Sequence, residues 1–196
     1  MKLIDAKKDL YRKLAHEEGY RSRSAYKLKE LNKSYRIFGP GNFVLDLGCA
    51  PGGWTQFAAK IVGNQGKVMG IDMSFVEDIP RVKMLKASID DDVTKEIFTF
   101  FGKKIKAVIS DLSPQVTGNW SVDHSTQISL NYSAVKIMEQ VLEKKGNALF
   151  KVFDGEYSNE FYEYLKKKFS KIKLTKPKSS RKPSSELYCI CLGYTG

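Results

Sequence analysis

The sequence predicts an α/β protein with a doubly wound, mostly parallel sheet and helices on both faces. Short apolar segments alternate along the chain with longer segments of helical periodicity, which is typical of βαβ units. The first apolar segment runs directly into a glycine-rich loop, as at the ligand crevice of such sheets. Only residues 175–185 join the last two predicted strands. Because this link is too short for a helical crossover, that pair should be antiparallel.

The individual elements follow from local periodicity and turn signals. Residues 4–34 read as helix with a break near Gly19, because Ala25, Leu28 and Leu31 follow helical spacing, and FGPGN at 38–42 is a turn. Strands are predicted at 43–48, 67–73, 82–86, 106–111, 147–153, 170–174 and 186–193. Further helices are predicted at 53–62, 91–101, 126–145 and 157–168, with a polar loop at 115–125. We therefore expect one domain over 1–196, in which a basic helical segment at about 1–37 precedes the core.

Composition excludes several classes of protein. The chain has 196 residues, 42% of them hydrophobic, without an apolar run near the roughly 18 residues of a membrane span or the apolar core of a signal peptide. We therefore expect a cytoplasmic protein. Cys49, Cys189 and Cys191 form an odd set without C-x-x-C spacing, and there are two histidines, so neither a disulfide framework nor a metal site is indicated. Nothing in the sequence demands more than a monomer.

Basic charge is concentrated in two flanks. The net charge is +11: residues 1–41 carry a net +6 and residues 165–182 a net +9, whereas residues 42–164 are mildly acidic. This distribution is typical of a protein that binds a polyanion, with nucleic acid the first candidate. For the run from Lys166 to Lys178 alone, a solvated lysine-rich surface explains the charge equally well.

The segment LDLGCAPGGWTQ, residues 45–56, predicts a nucleoside-cofactor site. A strand ends, glycines turn the chain, and a helix begins, while Asp72 ends the next strand where an acidic residue suits ribose hydroxyls. The glycine spacing is not the G-x-G-x-x-G of dinucleotide sites, and Pro51 lacks an N–H for a pyrophosphate. The loop therefore favours S-adenosyl-L-methionine. A nicotinamide-dependent oxidoreductase remains the alternative enzyme.

Lys151 stands within an otherwise apolar strand, NALFKVF. A lysine with the ordinary pKa near 10.4 is protonated at neutral pH and cannot serve as a base. Burial and a second cation both lower a lysine pKa, and the strand offers the first condition. Lys151 is therefore a candidate general base for a hydroxyl nucleophile, with a snorkelling surface lysine as the alternative.

These segments resemble a known family, the FtsJ/RrmJ ribosomal RNA 2′-O-ribose methyltransferases. The resemblance runs through RSRSAYKLKELN (21–32), DLGCAPGGW (46–54), SDLSP (110–114), KVFDGE (151–156) and KPKSSRKPSSELY (176–188). It implies the class I methyltransferase fold, with a seven-stranded sheet and an antiparallel C-terminal hairpin. It further implies methylation of a uridine 2′-hydroxyl in the A-loop of large-subunit ribosomal RNA. Close relatives act on transfer RNA or messenger RNA caps, which is the alternative substrate.

The resemblance also implies site residues. The family's Lys-Asp-Lys-Glu tetrad falls on Lys27, Asp111, Lys151 and Glu186, and its cofactor contacts fall on Gly52, Trp54, Asp72 and Asp111. The family's aspartate after the third strand is replaced by Ser88, and Asp90 can substitute for it.

Each of these residues also has a purely structural interpretation. Lys27 can be one more charge on a basic helix, Asp111 can cap a turn, and Glu186 can pair with a nearby lysine. Trp54 can belong to the core. A catalytically silent RNA-binding protein or ribosome-assembly factor is the alternative of a different class, and the intact tetrad argues against it.

Overall fold

A computed structural model describes residues 3–180 and 184–196, with side chains from Leu10 onward. Arg181 and Lys182 of the second basic flank, and Lys2 of the first, lie outside the described residues. The helices are α1 Leu3–Glu17, α2 Ala25–Tyr35, α3 Gly53–Val62, α4 Thr94–Phe101, α5 Trp120–Val141 and α6 Ser158–Lys166. The strands are β1 Phe43–Leu47, β2 Lys67–Asp72, β3 Val82–Lys86, β4 Ile105–Ser110, β5 Leu142–Phe153, β6 Phe169–Thr175 and β7 Glu186–Tyr194.

The described strands form a seven-stranded sheet of order β3-β2-β1-β4-β5-β7-β6. The first five in this order pair in parallel, whereas β7 lies antiparallel to both β5 and β6. The predicted fold and the antiparallel ending are therefore confirmed. The strand order reverses between β1 and β4, which is where an open α/β sheet forms its ligand crevice.

Two apolar layers cover the faces of the sheet. On one face, α2 and α3 pack through Leu28, Leu31 and Phe57 against β-strand residues that include Leu149 and Ile190. On the other face, α4, α5 and α6 pack through residues such as Ile97, Val135 and Phe161. In the part of the chain that the structure describes, no helix is long and apolar enough to cross a membrane.

Most element boundaries agree with the prediction to within four residues, and two differ by more. Helix α5 begins at Trp120 rather than near 126, because the Asn119 side chain caps it by accepting from the backbone N–H groups of Ser121 and Val122. The polar stretch that resembles a loop is thus partly the cap and first turn of a helix. Strand β5 begins at Leu142 rather than 147, and its register with β4 shifts between Ile105 and Ala107.

Candidate active site

The crevice lies where β1 and β4 end side by side. Leu47 pairs with Ser110 at the last register position of the two strands, so the glycine loop and Asp111 leave the sheet at the same edge. Strand β5 continues beyond β4 and carries Lys151 past this edge. Strand β7 starts there with Glu186, opposite Phe153. The topology therefore gathers three of the four predicted tetrad residues, and α2 adds Lys27.

The Lys151 side chain is buried against Asp111. Lys151 is only 4% exposed, and its Nζ donates to the Asp111 carbonyl oxygen at 2.8 Å and lies 3.4 Å from Asp111 Oδ1. Because Leu149 and Lys151 alternate with buried neighbours that face the other way, they share the α2–α3 face of the sheet. The amine is thus held at the crevice and does not reach out to bulk solvent.

A second ion pair lies beside the first. Lys27 Nζ donates to Glu186 Oε2 at 2.6 Å, and both side chains are partly buried. Burial raises the pKa of Glu186, but the positive charges of Lys27 and Lys151 and the Lys27 hydrogen bond outweigh this effect, so the net pKa is lowered. Glu186 is therefore a carboxylate that balances the two amines.

Tyr188 connects the two pairs, and the sequence analysis missed it. Its hydroxyl donates to Asp111 Oδ1 at 3.3 Å, and Lys27 Nζ lies 5.6 Å from the centre of its ring. Burial and the carboxylates of Asp111 and Glu186 raise its pKa, which keeps the phenol a hydrogen-bond donor. Tyr188 stands two residues after Glu186 and opposite Lys151 in the β5–β7 register. The alternation of strand β7 was thus the signal that could have identified it.

Two buried amides of α5 fix the backbone at Lys151, and these also escaped the sequence analysis. The side chains of Gln127 and Asn131 donate to the Lys151 carbonyl oxygen at 2.6 and 2.9 Å, and Gln127 Oε1 accepts from the N–H of Phe153. They satisfy β5 groups beyond the end of β4, where ladder partners are missing. Two buried amides four residues apart on one helix face were the available signal.

The glycine loop is shaped by Asp72 and by close packing. Asp72 accepts from the N–H of Ala50 at 2.9 Å and from the N–H of Ser74 at 2.8 Å, so its carboxylate holds the loop from the end of β2. Gly48 has φ +74°, and a Cβ there would lie 2.8 Å from Leu112. Gly52 has φ +110° and precedes α3 as its N-cap. Only glycine fits these two positions without strain.

Asp46 lies directly beneath this loop, completely buried. Its Oδ2 accepts from the Thr55 hydroxyl at 2.6 Å, and its Oδ1 has no hydrogen-bond partner among the described residues. Burial is the largest cause that raises its pKa to about 7, and the nearby carboxylates of Asp111 and Asp72 add to it. The crevice therefore contains an acidic group that is able to respond to a positively charged ligand above it.

Trp54 belongs to the core. Its side chain is 2% exposed, its indole N–H donates to the Ser24 carbonyl at 2.9 Å, and its ring centre lies 5.9 Å from that of Tyr188. It thus braces both the start of α2 and the tyrosine between the ion pairs. A contact from Trp54 to a ligand in the crevice stays a prediction, and it would use the backbone rather than the indole.

Ser88 and Asp90 lie together in the loop after β3. The Ser88 hydroxyl accepts from the backbone N–H of Asp90, and the backbone N–H of Ser88 donates to Asp91 Oδ2. Asp90 accepts from the Ser133 hydroxyl of α5 at 2.8 Å. Asp90 is therefore tied to a helix, and of the two residues Ser88 is the one that holds the turn itself.

The assembled site combines two amines, two carboxylates and a phenol in one partly buried crevice. Such an arrangement can hold a neutral hydroxyl by hydrogen bonds and transfer its proton to a positioned side chain. The adjacent glycine loop and Asp72 form the kind of edge that accepts a nucleoside. This juxtaposition suits group transfer from a nucleoside cofactor to a hydroxyl.

Comparison with known proteins agrees with this geometry. The model of the FtsJ-like methyltransferase family matches residues 20–194. Proteins named ribosomal RNA large subunit methyltransferase E are 68% identical in Nitrosopumilus maritimus and 58% identical in Cenarchaeum symbiosum, in both cases over 100% of each chain. A solved structure from Plasmodium falciparum, described as a candidate ribosomal RNA methyltransferase, has a TM-score of 0.82 at 32% identity and covers 90% of this chain and 100% of its own. The chain therefore belongs to the FtsJ-like methyltransferase family.

Proposed function

We propose that this protein uses S-adenosyl-L-methionine to methylate a ribose 2′-hydroxyl in ribosomal RNA. The observation that carries the proposal is the position of Lys151, buried at the crevice edge against Asp111 and beside the Lys27–Glu186 pair. A ribose hydroxyl is a weak nucleophile, so a site that alkylates it needs a base within hydrogen-bond reach.

The residues of the crevice fit this cofactor. Asp72 would suit the ribose hydroxyls of the adenosine, and the backbone from Gly48 to Gly52 would suit the amino-acid tail. Asp111 follows β4, between the glycine loop after β1 and Lys151 on β5. Asp46 is buried beneath the loop with its Oδ1 unpartnered among the described residues, and a positively charged ligand above it would favour the ionised carboxylate. The bound cofactor supplies an electrophilic methyl group on a sulfonium. For the adenine side we propose Ser88, because Asp90 is already bonded to Ser133.

The chain's own residues prepare the hydroxyl. Lys151 Nζ accepts the hydroxyl proton, and Asp111 fixes the direction of the amine through its carbonyl and carboxylate. Glu186 holds Lys27 near the same site and balances its charge, while the Tyr188 hydroxyl orients Asp111. Holding the acceptor in line, rather than proton transfer alone, supplies much of the acceleration in this type of reaction.

The proposed substrate rests on charge and on the names of the relatives. The methyltransferases of Nitrosopumilus maritimus and Cenarchaeum symbiosum are named for large-subunit ribosomal RNA. This chain carries a net charge of +11, as expected of a protein that binds a polyanion. We therefore propose large-subunit ribosomal RNA as substrate, with a uridine of the A-loop as the target, and action in the cytoplasm as a monomer.

The proposal is tested by methyl transfer to separate RNA pools. The protein is incubated with methyl-labelled S-adenosyl-L-methionine and, in parallel, with large ribosomal subunits, naked ribosomal RNA, transfer RNA and capped messenger RNA. We expect label in large-subunit RNA, at a ribose 2′-oxygen when the nucleotide is mapped by mass spectrometry. Label on a base, or in transfer RNA or caps alone, would contradict the proposal. A thermal shift with a nicotinamide dinucleotide and none with S-adenosyl-L-methionine would contradict the cofactor.

A further inference from the structure

Four aromatic rings line one end of the crevice. The ring centres of Tyr157 and His124 are 5.7 Å apart, those of His124 and Trp120 are 5.8 Å apart, and those of Trp120 and Phe153 are 5.9 Å apart. The interplanar angles of these pairs are 10°, 14° and 22°. The rings are therefore nearly parallel and offset, and we call these four residues the aromatic shelf.

The shelf has two buried and two exposed rings. Phe153 and His124 are buried, whereas Trp120 is 48% and Tyr157 is 43% exposed. The backbone N–H of Tyr157 donates to His124 Nε2 at 3.1 Å, and a Cβ on Gly155 would lie 2.8 Å from the His124 ring. The turn that carries Tyr157 is thus packed directly onto the buried imidazole. Rigid, half-exposed rings on such a base are suited to stacking with a flat ligand.

The aromatic shelf begins beside Lys151, the proposed general base. Lys151 Nζ lies 6.0 Å from the centre of the Phe153 ring, and the two residues lie two positions apart on the same face of β5. In a nucleotide, the base is joined directly to the ribose by the glycosidic bond. An RNA whose ribose reaches Lys151 therefore carries the target base, or that of its neighbour, to the shelf.

Local charge distinguishes a base from a phosphate at this place. Asp154 and Glu156 are exposed in the turn next to Tyr157, and residues 112–122 contain no charged side chain. Carboxylates repel phosphates but not the face of a neutral base. Val122 adds a further exposed apolar side chain in the first turn of α5. The chemistry of this surface thus fits a nucleobase rather than the RNA backbone.

We propose that the aromatic shelf binds an unpaired nucleobase of the RNA substrate by stacking on Trp120 and Tyr157. This inference rests on the proposed function, because it assigns the position of the RNA that the same crevice methylates. Unpaired bases splayed onto aromatic side chains are the usual mode of recognition for single-stranded RNA. The shelf makes the reaction selective for a nucleotide that has left its stack.

The first test separates stacking from anchoring of α5. Trp120→Leu keeps an apolar contact with Phe153 and His124 but removes the large ring. We expect KM for a large-subunit ribosomal RNA transcript to rise about 5- to 100-fold, with kcat at saturating RNA and the Tm unchanged. Leu10→Ala on α1, which truncates a similarly exposed apolar residue, should leave KM unchanged. The inference would be overturned if Trp120→Leu leaves KM unchanged, whether or not kcat and Tm fall together.

The second test uses the unaltered protein. Trp120 fluorescence should be quenched by an unpaired oligoribonucleotide of the target sequence and not by the same strand with abasic sites. Trp120→Phe, which leaves only buried Trp54, provides the background. Equal quenching of fluorescence by the two strands would contradict base stacking on the aromatic shelf, even if the protein methylates RNA. A protein that stacks the strand but transfers no methyl to RNA would instead contradict the proposed function.

Discussion

Lys151 is held at the crevice by partners that the strand itself does not contain. Its amine bonds to the carbonyl and carboxylate of Asp111, which come from the end of a neighbouring strand. A buried polar group without a hydrogen-bond partner is costly, so the position is stable only because the sheet register brings these groups together. The apolar sequence around Lys151 thus identified an unusual residue, and the topology explains it.

We expect Lys151→Ala to lower methyl transfer by about 10²- to 10⁴-fold, the range for loss of a general base. Cofactor affinity should change little, because most residues proposed to hold the cofactor lie on the glycine loop, at the end of β2 and after β3, and Asp111 keeps its hydrogen bond to Tyr188. Turnover at saturating substrates and calorimetric titration with S-adenosyl-L-methionine measure the two effects. Lys144→Ala, an exposed lysine on the same strand, is the matched control and should behave like the parent. Near-normal turnover in Lys151→Ala would remove this residue from the base role.

Asp46 gives the molecule a pH-dependent stability. Burial raises its pKa in the folded state from 3.8 to about 7, so the folded state retains a proton that the unfolded state has lost between these values. Stability from this group therefore falls as the pH rises from about 4 to 7, by at most about 4 kcal/mol. Asp46→Asn keeps an acceptor for Thr55 and does not titrate.

The comparison of Asp46→Asn with the parent isolates this contribution. We expect the variant to gain unfolding free energy relative to the parent as the pH is raised from 5 to 8. Urea titrations at several pH values, without cofactor, provide the measurement. Glu186 titrates oppositely, since its lowered pKa contributes stability that is lost as the pH falls, and it cancels in the difference. A difference that is flat with pH would show that Asp46 does not titrate in this range.

The sequence motifs identified individual site residues but did not show which residues they contact. Lys27, Asp111 and Glu186 were found because they stand in recognisable segments, and the structure brings all three to Lys151 or its neighbours. Tyr188 and Gln127 were missed because a tyrosine in a strand and an amide in a helix resemble ordinary core residues. Their roles depend on pairing across 77 and 24 residues of chain, which no local pattern records.

Among the elements, α5 has the closest relation to the reaction site. It covers one face of the sheet with apolar residues, and its buried amides complete the hydrogen bonding of β5 beyond the end of β4. The sequence predicted this helix but placed its start six residues late, because the cap and first turn are polar. The same early turn carries Trp120, whose ring stacks on His124 of the same helix and on Phe153 of β5.

Gln127→Met tests the link between α5 and the site. It removes two hydrogen bonds and leaves the N–H of Phe153 without its amide partner. We expect the unfolding free energy to fall by about 1–3 kcal/mol and turnover to fall with it, because the Lys151 backbone is released. Urea denaturation and methyl-transfer assays measure both. Gln140→Met, at an exposed position in the last turn of the same helix, should change stability by less than about 0.5 kcal/mol. Equal effects of the two substitutions would contradict this role.

The sequence predicted the sheet better than it predicted the long-range contacts between segments of the chain. Strand spacing, the glycine loop and the short link at 175–185 were sufficient for the parallel core and the antiparallel ending. The sequence could not show that Glu30 of α2 accepts from the N–H groups of Lys178 and Ser179, and so fastens the second basic flank beside Lys27. Such long-range contacts place a charged segment without altering its local pattern.

The register of the C-terminal strands places two lysines of β6 on the face of the sheet that carries Lys151. Lys171 and Lys173 of β6 pair with Leu192 and Ile190 of β7, and Thr175 pairs with Tyr188. Because Tyr188 pairs in turn with Lys151, the side chains of the two β6 lysines and of Lys151 lie on one face of the sheet. Lysines on an edge strand also hinder pairing with other chains, so their presence alone does not establish binding.

Salt dependence distinguishes these two roles for the lysines. We expect the affinity for ribosomal RNA to fall steeply with salt, and the double variant Lys171→Gln/Lys173→Gln to reduce the log–log slope by about 1.4, or about 0.7 for each lost phosphate contact. Lys103→Gln/Lys104→Gln makes the same change of charge just before the start of β4, at the end of the parallel strands away from Asp111, and should leave the slope unchanged. Filter binding between 50 and 200 mM salt, about the range over which such slopes are defined, provides the measurement. Equal slopes for the two double variants would mean that RNA responds only to net charge, and a slope near zero in the parent would exclude phosphate binding by the basic flanks.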